Sequence, residues 1–269
     1  MDHVVRQPST ERAIKADALR VEIFPSREAL GEAAAGDVAE RMRQCIAEEG
    51  KVTMVFASAP SQNEFLASLA AEPGIDWGKV VAFHLDEYVG LPGDAPQGFG
   101  NFLRRHLFDK VQPGTIFFMN GNAPDPEAEC RRYAELLEEY PLDIACIGIG
   151  ENGHIAFNDP HVADFDDPVK VKLVQLDERS RMQQVHDGCF ASLDDVPKTA
   201  ITMTIPAIVA AAAVHCMVPG STKAAAVRCT VQGPISTDCP ASILRRHRDA
   251  TLYVDVDSAA ELKGIGYRL

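Results

Sequence analysis

The chain has 269 residues, 46% hydrophobic and 24% charged, which is enough apolar material for a substantial core and ordinary for a globular protein. A formal net charge of -13 argues against nucleic acid or an anionic membrane surface as partner, because both demand clustered cations. No apolar run approaches the roughly 18 to 20 residues of a membrane span, and the polar start from Met1 to Asp17 is unlike a signal peptide, so a cytoplasmic location is expected.

In chain order, Arg20 to Phe24 reads as a short strand, and Pro25-Ser26 then signals a helix start. That helix carries Leu30, Ala34, Val38, Met42 and Cys45 on one face and ends near Glu49-Gly50. Val52 to Ala57 is a strand, and Ser58-Ala59-Pro60-Ser61 turns into a helix bearing Phe65, Leu66 and Leu69. Further strands are predicted at Val80 to Leu85, Ile116 to Met119, Leu142 to Ile149, Ile201 to Ile205, Ala213 to Val218 and Thr251 to Val254, about eight in all, with helical stretches such as Glu127 to Glu139 between them. Such alternation predicts an α/β fold, a doubly wound, mostly parallel sheet with helices on both faces, in a single domain over residues 1–269. Asp164 to Asp195 is the least regular stretch, polar and long enough to form a lid. Seven cysteines at irregular spacing, without a C-x-x-C pair, fit reduced thiols better than disulfides or zinc, and Cys146 lies inside a core strand.

Two predicted strands end in titratable groups. Leu142 to Gly150 breaks into a turn with Glu151, Asn152, His154, Asn158 and Asp159, and Val80 to Leu85 stops at Asp86-Glu87-Tyr88. Carboxyl ends of strands are where an α/β sheet presents chemistry, so on neighbouring strands Asp86 offers a general base and His154 a proton shuttle. The plain alternatives are that Asp86 caps a turn and that His154 is a satisfied histidine in a tight one. Gly148 to Gly153 spells G-x-G-x-x-G, but it lies mid-chain and Pro160 discourages a helix directly after it, which weighs against a dinucleotide site. Ser58 to Gln62, between strand and helix, suits an anion or is merely an N-cap. Lys223, in Gly220-Ser221-Thr222-Lys223 after the strand ending at Val218, can meet a phosphate as a point charge or simply be solvated. Arg179, Arg181 and Arg245-Arg246-His247-Arg248 are the remaining cationic candidates.

Together these segments resemble the glucosamine-6-phosphate deaminase (isomerase) family, related to the 6-phosphogluconolactonases. The resemblance runs from about Val21 to Leu262 and is most specific at Leu85 to Leu91, Asn120 to Asp125, Gly153 to Pro160 and Cys239 to Arg245. It implies a Rossmann-like sheet and conversion of an amino-sugar phosphate to fructose 6-phosphate and ammonia, without metal, nucleotide or other cofactor. By resemblance Asp86 is the base that moves a proton between C2 and C1, and His154 assists ring opening. Asn152 and Asp159, the latter where the family usually has Glu, orient His154. Ser58, Ala59, Ser61, Glu87, Gly148 and Lys223 are the implied substrate and phosphate contacts. The family commonly has Thr-Gly-Ser-Thr where this chain has Ser58-Ala59-Pro60-Ser61, and Pro60 removes a backbone donor. A lid arginine is also implied, yet residues 182–190 contain none. The expected partner is a small amino-sugar phosphate, with a homo-oligomer also open. A lactonase and a non-catalytic sugar-phosphate sensor are the alternatives; retention of both Asp86 and His154 disfavours the sensor.

Overall fold

The structure, a computed structural model, describes residues 12–264. Eight strands form the main sheet: β1 (Arg12–Ala16), β2 (Leu19–Phe24), β3 (Val52–Phe56), β4 (Val80–His84), β6 (Thr115–Ile116), β7 (Ile144–Ile147), β10 (Ala213–Val218) and β11 (Ala250–Asp255). Their order is β1-β2-β11-β10-β7-β3-β4-β6, and every pairing is parallel except the hairpin of β1 with β2. A second, antiparallel sheet in the order β5-β9-β8 contains β5 (Asp86–Tyr88), β8 (Val171–Gln175) and β9 (Thr199–Met203). The helices are α1 (Arg27–Glu49), α2 (Asn63–Ala71), α3 (Phe99–Leu103), α4 (Asp109–Val111), α5 (Pro126–Glu139), α6 (Glu178–His186), α7 (Ile205–Val209) and α8 (Ala224–Gln232).

Central strands are buried at every position, as Val52–Phe56 and Ile144–Ile147 are, because helices cover both faces of the sheet. On one face α1 lays Leu30, Ala34, Val38, Met42 and Cys45 against Met54, Phe56 and Tyr253. The helix starts where the Ser26 side chain accepts from Ala29 N, and it stops at Gly50, whose φ of 78° is the left-handed turn that glycine takes without strain. On the opposite face α5 and α8 contribute Tyr133, Leu137, Val227 and Val231, which pack with Val55, Phe83 and Ile147. Cys146 is buried within β7, and all seven cysteines are free thiols.

Strand order reverses beside β3. From β3 the chain goes outward to β4 and β6, returns to β7 on the other flank of β3, then continues to β10 and β11. Connections therefore diverge above the carboxyl ends of β3 and β7 and leave a crevice there, the usual ligand position in such a sheet.

Several predicted elements need correction. Of the segment Ile116 to Met119 only Ile116 is strand, as the end of β6, because Met119 N turns away to His84 Nε2 at 2.8 Å and Asn120 N to Glu129 Oε1 at 2.7 Å. Ile201 to Ile205 is not a strand of the main sheet. Its residues up to Met203 belong to β9, and the Thr204 hydroxyl and Pro206 then start α7 at Ile205. Asp86-Glu87-Tyr88, expected where the strand from Val80 stops, is itself a short strand, paired Asp86 to Thr202. The stretch from Asp164 to Asp195 is more regular than its composition suggests, since it contains β8 and α6. Among the described residues no helix is long and apolar enough to cross a membrane.

Candidate active site

At the strand-order reversal lies a cleft of about 530 Å³, walled by the ends of β3, β4, β7 and β10 and by α6. Ser58, Ala59, Ser61, Asp86, Gly148, His154 and Lys223 all line it. Asn152 and Asp159 stand behind His154 as its partners rather than in the wall.

The turn after β7 builds the histidine side. Gly150 N bonds His154 O at 3.0 Å and Gly153 N bonds Gly150 O at 2.9 Å, folding the loop so tightly that the imidazole lies on Gly150. A Cβ at position 150 would fall 2.1 Å from the ring, so only glycine fits. His154 Nδ1 faces Asn152 Oδ1 at 2.7 Å, Asp159 Oδ1 at 3.0 Å and Ser180 Oγ at 3.0 Å. Ser180 in turn donates its hydroxyl proton to Asp159 Oδ1. All three neighbours therefore present lone pairs to Nδ1, which must carry the ring proton and leave Nε2 as the basic atom facing the cleft. The missing methylene of Asp159 does not prevent contact with the ring. Burial pushes the Asp159 carboxyl up, but bonds from His154, Asn152 and Ser180 prevail and hold it well below its ordinary value.

Asp86 is the opposite kind of carboxylate. It is 8% exposed, and among the described residues no side chain or amide donates to its carboxylate oxygens. Burial, helped by the charge of Glu87, raises it well above the ordinary aspartate value, which makes it a strong base once deprotonated. Adjacent residues on a strand point to opposite faces, and Glu87 accordingly leaves the cleft. It lines a neighbouring cleft, where its carboxylate accepts from Tyr88 N, Phe99 N and Gly100 N at 2.9 to 3.0 Å, so its place is that of a loop anchor and not of a wall residue. His84, two residues before Asp86, is spoken for by Met119 N and stays neutral, its pKa pushed down to about 4 by burial.

The far end of the cleft is formed by the turn after β3 and the start of α8. Neither Ser58 nor Ser61 caps the short helix that begins at Pro60. Ser58 Oγ is buried with no hydrogen-bond partner, while Ser61 Oγ accepts from Gln62 Nε2 at 3.1 Å. Gln62 Nε2 also donates to Met217 O at 3.1 Å and crowds Gly148, where a Cβ would stand only 3.0 Å away. Arg27 Nη2 holds Pro60 O at 3.3 Å from outside. Lys223 is 5% exposed, and among the described residues no carboxylate lies within 4 Å of its ammonium. Burial lowers its pKa, against the more distant charges of Asp187 and Glu151. Its loop is fixed by Asp255, whose two carboxylate oxygens accept from Gly220 N at 3.1 and 2.9 Å.

Gln183 and Gln184 on α6, together with Phe99 and Phe157, complete the wall, and Ser180 completes the histidine network. Sequence reading missed these. Spacing of three and four residues puts Ser180, Gln183 and Gln184 on one helix face, but a polar stripe of that kind is ordinarily a solvated one. No lid arginine reaches the cleft. Arg181 is buried against Leu193 O and Val196 O, and Arg179 is exposed. Among the described residues no cluster of three or more His, Cys, Asp or Glu is arranged to hold a metal ion.

The sequence pattern of the family described as glucosamine-6-phosphate isomerases/6-phosphogluconolactonase matches residues 25–253. The glucosamine-6-phosphate deaminase of Lactobacillus delbrueckii subsp. bulgaricus is 33% identical over 216 residues, 80% of this chain and 90% of the relative. That of Exiguobacterium sibiricum is 40% identical over 188 residues, 70% of this chain and 73% of the relative. Among solved structures, a monomeric glucosamine-6-phosphate deaminase superposes with a TM-score of 0.83 at 32% identity, covering 90% of this chain and 99% of its own. The 6-phosphogluconolactonase of Trypanosoma brucei, at 18% identity and a TM-score of 0.70 over 90% of this chain and 98% of its own, shares the fold. The chain belongs to the glucosamine-6-phosphate isomerase/6-phosphogluconolactonase family.

Proposed function

We propose that this protein is a glucosamine-6-phosphate deaminase, converting glucosamine 6-phosphate and water to fructose 6-phosphate and ammonia. The observation that carries the reading is one cleft holding an imidazole with a fixed tautomer together with a buried carboxylate that accepts no hydrogen bond and a buried ammonium in no ion pair among the described residues. In this reading Lys223, Ser58 and Ser61 take the phosphate, and His154 Nε2 handles the proton at the ring oxygen as the pyranose opens. Asp86 moves the C2 proton of the open aldehyde to C1 while an amine proton passes to O1, giving a ketimine at C2 that water hydrolyses to the ketose and free ammonia. Asn152 and Asp159 keep the imidazole oriented, and Gly148 lets Gln62 close the floor. Glu87 braces the strand that carries Asp86. Seven free thiols suit a reducing, cytoplasmic setting.

The test is ammonia release from glucosamine 6-phosphate, galactosamine 6-phosphate and glucosamine, with 6-phosphogluconolactone hydrolysis measured beside it. Glucosamine 6-phosphate should give the highest kcat/KM. Lactone hydrolysis with no ammonia from any amino sugar would overturn the reading.

A further inference from the structure

Helix α6 follows β8 of the second sheet, whereas His154 stands in the turn after β7, yet the two are bound together at several points. Asp159 Oδ2 accepts from Asp177 N at 3.4 Å, just before the helix. Ser180 Oγ donates to Asp159 Oδ1 and stands 3.0 Å from His154 Nδ1. One turn on, Gln183 Oε1 accepts from Glu151 N at 2.9 Å. Gln184 of the same helix lines the cleft, and beyond its end Phe190 meets Tyr88 edge-on at 5.6 Å. Ser180 itself is 2% exposed and does not line the cleft, so it reaches a ligand only through His154.

A hydroxyl has one proton, and that of Ser180 is spent on Asp159. Its oxygen can then only accept from Nδ1, which gives the ring a third lone pair and closes a triangle of Asp159, Ser180 and His154. We propose that Ser180 is a positioning residue for His154, and that through it the lid helix holds the imidazole in register with the cleft. The proposal rests on the deaminase reading for its kinetic consequence, though not for the contact itself. Because Ser180 touches no ligand, its loss acts on turnover and leaves ground-state binding alone.

The experiment combines Ser180→Ala, Ser180→Thr, His154→Gln and the double variant Ser180→Ala/His154→Gln on glucosamine 6-phosphate. Ser180→Ala should lower kcat about tenfold with KM within about twofold of wild type, and Ser180→Thr, which keeps the hydroxyl, should recover most of it. In the His154→Gln background, Ser180→Ala should cost less than about twofold, since the partner it positions is gone. A loss equally large in that background, or one confined to KM, would overturn the proposal. A readout independent of turnover is the His154 Nδ1 proton by nitrogen-edited NMR, expected to exchange with solvent slowly in wild type and faster in Ser180→Ala. Equal exchange in the two would also overturn it. A wild type that releases no ammonia but shows this difference in exchange would sink the deaminase reading and leave the role of Ser180 standing.

Discussion

The two ends of the cleft are built on opposite terms. At the histidine end Asn152 Nδ2, Ser180 Oγ and His154 Nδ1 all meet acceptors inside the protein, with Asn152, Asp159 and Ser180 closing around one ring nitrogen. At the lysine end Ser58 Oγ is buried without a partner, and the Lys223 ammonium lacks an ion pair among the described residues. An unmet buried hydroxyl costs about 1 to 3 kcal/mol. In the proposed reading, the protein completes the machinery that moves protons and leaves the lysine end to be completed by the substrate's phosphate. One end is preorganised chemistry and the other stored affinity.

Asp86 belongs to neither end, and its loss should be the most severe. Asp86→Asn is nearly isosteric, so the fold and ligand binding should survive while turnover falls by about 10²- to 10⁴-fold. A variant keeping more than roughly a tenth of wild-type kcat would remove Asp86 from the base role. The same carboxylate gives a pH expectation. Its pKa is raised, so it is protonated and inactive as a base at pH values where an ordinary aspartate is already ionised. The acid limb of kcat/KM should therefore lie clearly above pH 4, and a limb at the ordinary aspartate value would contradict it.

Lys223→Ala attacks the stored-affinity end directly. Losing a charge-assisted contact to a buried anion costs about 1.5 to 3 kcal/mol, or roughly ten- to a hundredfold in KM for glucosamine 6-phosphate, with little change for glucosamine. If wild type shows no preference for the phosphorylated sugar, Lys223 and the Ser58 to Ser61 turn do not form a phosphate site.

Ser58→Ala is the subtlest way to break the contrast. Removing the unpartnered hydroxyl should leave the unliganded protein as stable or up to about 1 kcal/mol more stable, while KM for the phosphorylated sugar rises severalfold. Thermal melts with and without inorganic phosphate separate the two effects. A destabilised unliganded variant would mean that Ser58 is already satisfied and that the two ends are less different than described.

The main sheet was legible because its strands are apolar runs punctuated by turns and helical periods. Of the second sheet only β9 was anticipated, within Ile201 to Ile205, since β5 is three residues long and its partner lies far away in sequence. That blindness had one chemical effect. Placing Asp86 and Glu87 together at a strand end put both carboxylates in one site, whereas a strand of their own separates them by face. Asp86, Asn152, His154 and Asp159 stand out in sequence because they crowd the ends of two strands. Ser180 and Gln184 do not, because nothing in a polar helix says which of its residues will be covered.

Strand β11 lies between β2 and β10, although it is the last strand among the described residues and β2 the second. Until residues 250–255 are in place, β2 and β10 each present an unpaired edge, and Gly220 has no Asp255 to hold it. The loop that carries Lys223 is thus held only once strands far apart in sequence have met, and pairing over such separations raises contact order.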